Sequence, residues 1–314
     1  MKILILATAL LIILSVISIF IGPVSIENIF DMNFEQRQVM IIGRLPRLVS
    51  VIITGISMSI AGLIMQCLTK NKFVAPTTAG TMDGARLGIL ISMMVGVSSL
   101  FMRSIFAFTF TLITTLIFIK IINIIKIKNI IFIPLIGIMY GNILTSIAMY
   151  FAYTGNFVQN INTWLIGDFS AVLRGRYEML YITIPLLIIA YVFADKFIIA
   201  GMGKDFSKNL GVNYKLILNI GMIIVSLLST AVLLTVGVIP FLGVVVPNIV
   251  SILFGDNLKK TLPIVALSGA IFLLICDIIG RLIIHPFEIP ISLTVGVIGG
   301  AVFLFLLLRR KAYA

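Results

Sequence analysis

Asp277 and Arg281 stand four residues apart within an apolar run, one turn from each other on a single helix face, a spacing that lets them form an ion pair. Asp277 is the only acid deep in such a run. An acid there is a candidate proton relay when alone and a structural partner when paired near a helix end, and Arg281 favours the second. Asp83 and Arg86, at a helix start, read as a cap with an ion pair. His285 is the single histidine, and Cys67 and Cys276 lie in or beside apolar runs, so no cluster suits a metal, a haem or a disulfide framework. Gly201-Met202-Gly203-Lys204-Asp205 has a faint likeness to a phosphate-binding loop. Lys204 is followed by aspartate, however, and the leading glycine spacing is wrong. No catalytic residue, resident cofactor, metal site or nucleotide site is expected.

The elements that must hold these residues are membrane helices. The 314 residues are 61% hydrophobic and 11% charged, with a mean hydropathy of +1.23, which excludes a soluble domain. Apolar runs long enough to cross ~30 Å of hydrocarbon recur along the chain. Many are rich in Ile and Val, but open strands in lipid would expose unpaired backbone groups, so helices are expected. The run Ile3–Ile21 is too long for a signal peptide and lacks a small-residue cleavage site before Gly22-Pro23, so it reads as the first span.

The expectation is an all-α polytopic protein, one transmembrane domain over 1–314. About ten spans fall near 3–21, 48–66, 83–98, 104–122, 130–152, 178–195, 216–236, 244–254, 262–280 and 291–308. Pro240 and Pro247 predict that the eighth is broken or tilted. Ten spans put both termini on one side. With that side cytoplasmic, inner segments carry 16 Lys/Arg and outer segments 7, as the positive-inside rule requires. Every lysine is then inside and every outer cation is an arginine. The net charge of +12 fits anionic lipid headgroups and needs no nucleic acid. Outer arginines suit the carboxylates of an acidic partner; equally, they could pair with the outer acids Glu27, Asp31, Glu35, Asp168, Glu178 and Glu288. Gly80, Gly84, Gly88, Ser92 and Gly96 form a small-residue stripe that lets a neighbouring helix come close, and Gly137 with Gly141 and Gly296 with Gly300 repeat it.

Several ordered motifs resemble the permease family of ABC importers for ferric siderophores and cobalamin. Arg44-Leu45-Pro46-Arg47 matches its R-L-P-R, and Gly62 and Gln66 match the following span. Asn71, Ala75 and Pro76 match its N-P-L-A-x-P bend, and Gly80 and Gly84-Ala85 the next helix start. Leu210-Gly211-Val212 matches a cytoplasmic L-G-V. Gly237, Ile239, Phe241, Gly243 and Pro247 match G-x-I-x-F-x-G-L-x-x-P, while Asp277, Arg281 and Pro290 match the last motif. The likeness covers residues 40 to 308. Departures are Lys72-Phe73 for Pro-Leu, Asn248 for a usual histidine, Ser251 for a frequent arginine and Ala301 for a proline.

The resemblance implies a type II ABC importer permease. Two permease chains, identical or related, would pack around a pathway, with two ATP-binding subunits inside and a substrate-binding lipoprotein or periplasmic binding protein outside. Arg44, Arg47 and Arg281 would receive that protein's carboxylates. Asn71 and Phe73 would belong to the cytoplasmic gate. Lys204, Phe206, Lys208, Leu210, Gly211 and Val212, in a loop over 203–215, would couple to the ATPase. The bend looks most like the branch importing ferric catecholate-type siderophores such as enterobactin or petrobactin, with cobalamin and haem as alternatives. An ion-coupled secondary transporter would need midplane ionisable groups, and only Asp277 with its partner Arg281 is present. An intramembrane enzyme would need a nucleophile and base that the lone His285 does not supply.

Overall fold

A computed structural model of the chain describes residues 2–22, 33–125, 132–255 and 257–311, and among them the regular structure is helical, with turns and loops between the helices and one isolated parallel bridge between Ile166 and Val238. The order is α1 (Lys2–Phe20), α2 (Phe34–Val39), a π-helical turn (Met40–Arg44), α3 (Leu45–Thr69), a 3-10 turn (Pro76–Ala79), α4 (Thr81–Met94), α5 (Leu100–Ile125), α6 (Phe132–Thr154) and α7 (Val158–Leu165). A 3-10 turn (Glu178–Ile182) then leads to α8 (Thr183–Val192), α9 (Ala194–Gly201), α10 (Lys204–Asn209), α11 (Tyr214–Thr235), α12 (Leu242–Phe254), α13 (Leu258–Leu282) and α14 (Ile291–Lys311).

Six of these helical segments are long and apolar enough to cross a membrane, or seven if the pair Glu178–Val192 and Ala194–Gly201, bent by 60°, counts as one. α12 and Ile291–Leu306 are shorter apolar helices, and α4 has 14 residues. Every stretch expected as a span holds a helix or this bent pair, but only part of the set has full spanning length. Two sequence expectations change in detail. Of the two forms expected for α12, broken or tilted, the broken one is excluded, since the helix runs continuously through Pro247. α4 ends at Met94, so Gly96, at φ 77°, lies in the turn beyond it, outside the stripe.

α3 is the hub. It packs against α1, α8, α9, α11, α12 and α13, while α4 packs on α5, α6 and α11. In the most apolar 18-residue window of the stretch Phe34–Thr69, 72% of residues are buried, against 6% in that of α1, which separates a central helix from a peripheral one. Side-chain size explains how close the packing gets. A Cβ at Gly88 would come within 2.6 Å of the Phe106 carbonyl oxygen, and one at Gly84 would overlap the Thr114 hydroxyl, so the stripe seats α4 on α5. Buried hydroxyls join α5 to α11, with Thr115 and Ser226 2.8 Å apart and Thr230 donating to Thr111 at 3.0 Å.

Candidate functional site

The matched motifs gather at the two ends of the bundle. At one end, helix chemistry accounts for the arginines. The last carbonyls of α1 have no intrahelical partners, and the negative end of its dipole attracts cations. Arg44, brought there by the π-helical turn, donates to Ile19 O at 2.7 Å and Phe20 O at 3.4 Å. Arg281 donates to Ser18 O at 2.9 Å, Ile21 O at 3.0 Å and Ser18 Oγ at 2.5 Å. Two guanidinium groups therefore cap α1.

The same arginine also joins the expected pair, since Arg281 Nη2 lies 2.7 Å from Asp277 Oδ2, a charge contact rather than a well-aligned hydrogen bond. Arg47 completes the cluster, donating through Nε and Nη2 to Asp277 Oδ1 at 3.1 and 2.8 Å and through Nη1 to Glu288 Oε2 at 2.6 Å. Asp277 is buried and sits between two cations, which is no setting for a proton relay. Of the two readings of the outer arginines, pairing within the chain accounts for Arg47 with Glu288. Glu27 and Asp31 lie outside the described residues. Glu288 and Ser18 were missed as cluster members because their partners lie 241 and 263 residues away. A cavity of about 120 Å³ opens on this cluster, lined by Arg44, Arg47, Arg281, Ser170 and Glu288 among others.

At the other end, α3 closes with Lys70 in the left-handed region, φ 52°. Asn71 Oδ1 then accepts from Phe73 N at 2.9 Å, the side-chain turn that asparagine favours. Pro247 explains the neighbouring motif. Proline has no N–H, so the Gly243 carbonyl one turn earlier loses its helical donor. Gln66 Nε2 supplies one at 3.3 Å, also reaching Val244 O at 3.4 Å. Gln66 gets there because Gly62 lets α3 touch α12, and a Cβ at Gly62 would overlap the Gly243 carbonyl. A Cβ at Gly243 would in turn come within 2.6 Å of Pro76, on the bend.

Lys72 and Phe73 point to different helices. Asn248 Nδ2 donates to Lys72 O at 2.6 Å, and Lys72 Nζ donates to Ser251 Oγ at 2.6 Å, both on α12. Phe73 packs edge-on against Phe303 of α14, ring centres 5.8 Å apart, and Phe303 lies 5.9 Å from Phe241. Three departures from the family pattern (Lys72, Asn248 and Ser251) thus touch one another, a relation the sequence could not reveal.

The loop over 203–215 lies beside the bend. Lys70 Nζ donates to Met202 O at 2.6 Å, at the end of α9. α10 is bracketed by Gly203 at φ 115° and Gly211 at φ 70°, conformations that suit glycine. Ser207 anchors it through Ile199 O at 3.0 Å and Gly203 O at 2.7 Å. Phe206 and Leu210 face outward, half exposed and four residues apart, with Lys204 and Lys208 exposed beside them. Val212 is partly buried and its amide bonds to Ser207 O at 2.8 Å.

Asp83 and Arg86 do not form the direct ion pair expected of them. Both meet Thr145 of α6, which donates to Asp83 Oδ1 at 2.7 Å and accepts from Arg86 Nη1 at 3.4 Å. Both charges lie on α4, and the hydroxyl of a second helix sits between them.

Residues 10–309 match the FecCD transport family. The chain is 57% identical to the petrobactin import system permease protein YclN of Bacillus subtilis, covering 97% of this chain and 98% of that one. It is 41% identical to the ferric-anguibactin transport system permease protein FatD of Vibrio anguillarum, over 93% and 94% of the two chains. Among solved structures it is similar to an inward-facing metal-chelate type ABC transporter, with a TM-score of 0.87, 24% identity and coverage of 98% and 99%.

Proposed function

The chain belongs to the FecCD transport family, and from that premise we propose that it is the permease subunit of an ATP-driven importer that carries a ferric siderophore across the cell membrane. The observation that carries this reading is the 57% identity, over nearly the whole of both chains, to a petrobactin import permease. The convergence of Gly62, Gln66, Gly243, Pro247 and the bend into one packed node supports it, because residues far apart in sequence form a single working unit. A catecholate chelate is the favoured cargo. Cobalamin and haem would call for the same class of permease.

In this reading the helices make ten crossings, short α4 and α12 included, and the termini are cytoplasmic. The end with the bend then faces the cytoplasm, and Lys70, Lys72, Lys204 and Lys208 gather there as the positive-inside rule favours. Two ATP-binding subunits seat α10, with Phe206 and Leu210 as apolar anchors. A second permease chain, identical or related, completes the pathway, and Asn71 and Phe73 contribute to the cytoplasmic gate, where a bulky apolar ring can exclude water. A substrate-binding lipoprotein or periplasmic protein docks at the arginine end. A carboxylate arriving there must share Arg44, Arg47 and Arg281 with the end of α1 and with Asp277 and Glu288. The exposed Arg37, Arg174 and Arg176 meet the partner first.

The test is uptake of ferric catecholate chelate, ferric hydroxamate chelate, haem and cobalamin into vesicles holding the reconstituted complex. ATP-dependent accumulation of the catecholate chelate without an ion gradient is the expected result. Uptake that needs a proton or sodium gradient, or of cobalamin alone, would overturn the reading.

A further inference from the structure

A cavity of about 550 Å³ lies at the arginine end, between α7, the loop that follows it and the last turn of α11. That volume falls within the ~300–1,000 Å³ usual for small-ligand sites. Its wall carries Trp164, the only tryptophan of the chain, and Arg176, while Leu233, Val236 and Pro290 supply an apolar floor. The backbone around it is tied down. Asp168 N donates to Val236 O at 2.8 Å, Val238 N donates to Leu165 O at 3.2 Å, and Ile166 and Val238 form the isolated bridge. Hydrogen bonds between the two segments thus give the cavity a fixed wall.

Its polar groups are unevenly matched. Asp168 is the one acid in the lining, and both its oxygens accept from Ser170, Oδ1 from the backbone N–H at 2.8 Å and Oδ2 from the hydroxyl at 2.6 Å. Acceptors at the end of α11 are engaged as well, since Val232 O, Leu233 O and Val236 O accept from Val236 N, Gly237 N and Asp168 N. Among the described residues, by contrast, neither the Arg176 guanidinium nor the Trp164 indole N–H has a hydrogen-bond or ion-pair partner. What stays open is a cation and a donor beside an aromatic face. Arginine and tryptophan both hold a flat anionic ring, through charge-assisted hydrogen bonds and by stacking.

We propose that this cavity receives the chelate at the outer face, with Trp164 and Arg176 selecting cargo whose iron is wrapped by catecholate rings. The inference rests on the permease reading above and adds a place and a chemistry to it. A tris(catecholate) of a trivalent ion carries net negative charge and presents flat aromatic rings, which suits both open groups. A trihydroxamate chelate of the same ion is neutral and lacks the rings, so it forfeits both contacts. Arg176 is exposed where the binding protein also arrives, so delivery and reception share one place.

The experiment measures binding to the full-length chain in lipid–detergent micelles, with gallium(III) tris(catecholate) as the probe and a neutral gallium(III) trihydroxamate as its control. Trp164 is the only indole reporter, and the first probe should change its emission saturably. Arg176→Gln should weaken catecholate binding by about tenfold and flatten its salt dependence, while Arg176→Lys should hold it within about threefold. Trp164→Ala, followed by equilibrium dialysis because the reporter is gone, should weaken it by about tenfold, and Trp164→Phe by less. The hydroxamate should bind about tenfold more weakly than the catecholate in the parent, and no variant should change its affinity. Catecholate binding that none of these substitutions alters, equal binding of the two probes, or a parent that binds neither overturns the inference. Trp164→Ala that loses capture of the binding protein while keeping chelate affinity also overturns it, and assigns the cavity to the docking partner. If Trp164→Ala does not accumulate, the exposed Arg176 variants decide. A parent complex with no ATP-driven chelate uptake overturns the permease reading instead, so the two failures are distinct.

Discussion

Gln66 does a job that Pro247 creates. Its amide is the substitute donor for the carbonyl of Gly243, and both groups are buried. Gln66→Ala leaves that carbonyl without its side-chain donor, at an expected cost of about 1–3 kcal/mol; a lowered unfolding temperature of the purified chain is the readout, and an unchanged one would remove Gln66 from this role. Asp277 is a second case. It neutralises Arg47 and Arg281 together, so Asp277→Asn leaves buried Arg281 and part-buried Arg47 sharing a neutral amide, with Glu288 the one carboxylate still on Arg47. Breaking a buried pair costs about 3–5 kcal/mol, and the folded yield of Asp277→Asn should fall sharply while Glu288→Gln, whose side chain is 26% exposed, falls less. Equal yields would mean that the cluster stabilises nothing. In the sequence, the i,i+4 spacing made Asp277–Arg281 legible. Arg47 was not legible as their partner, because nothing in local spacing reports a contact 230 residues away.

Helix ends explain more than helix middles here. α1 terminates against two arginines from other elements, α3 in a left-handed lysine, and α12 starts from Phe241 at φ 60°. α10 is too short to be stable alone and is held by Ser207 and two glycines at positive φ. Its outward pair, Phe206 and Leu210, are exposed, and in the proposed reading they would be the anchors by which an ATPase subunit seats it. Phe206→Asp together with Leu210→Asp should weaken association with that subunit by at least ~2 kcal/mol, about 30-fold. Pull-down at graded concentration measures it, and undiminished capture would take α10 out of the interface. These helices were readable from apolar runs and glycine positions. The early end of α4 and the unbroken course of α12 were not, since both depend on neighbours. α5 seats α4, and Gln66 of α3 makes good the bond that Pro247 omits.

Across the whole molecule, the arrangement separates charge. Exposed arginines surround the end where α1 is capped, and lysines surround the bend and α10. If the lysine end is cytoplasmic, Asn257→Cys should react only with reagents that cross the membrane or with inside-out vesicles, and Asn33→Cys only with external ones. Labelling of Asn257→Cys from outside would reverse the orientation or change the number of crossings. The α3 hub adds a second expectation at this scale. Its close approach to α12 tolerates no side chain at Gly62, so Gly62→Leu should prevent accumulation of the chain in the membrane altogether, beyond the ~1–3 kcal/mol of ordinary overpacking. Normal accumulation would mean that the two backbones can separate.

The sequence alone determined class, helix content and family, because hydropathy, charge bias and ordered glycine, proline and arginine motifs are local properties that lipid and backbone geometry impose directly. It also marked the bend after α3 and the loop over 203–215 as the stretches for which gate and coupling roles are proposed. What it could not decide was partnership. That Arg44 and Arg281 turn inward to cap α1, that Gln66 repairs α12, and that Lys72 meets Ser251 and Asn248 are outcomes of which helices become neighbours. A buried donor or acceptor must find a partner wherever the packing brings one, and only the tertiary structure names it.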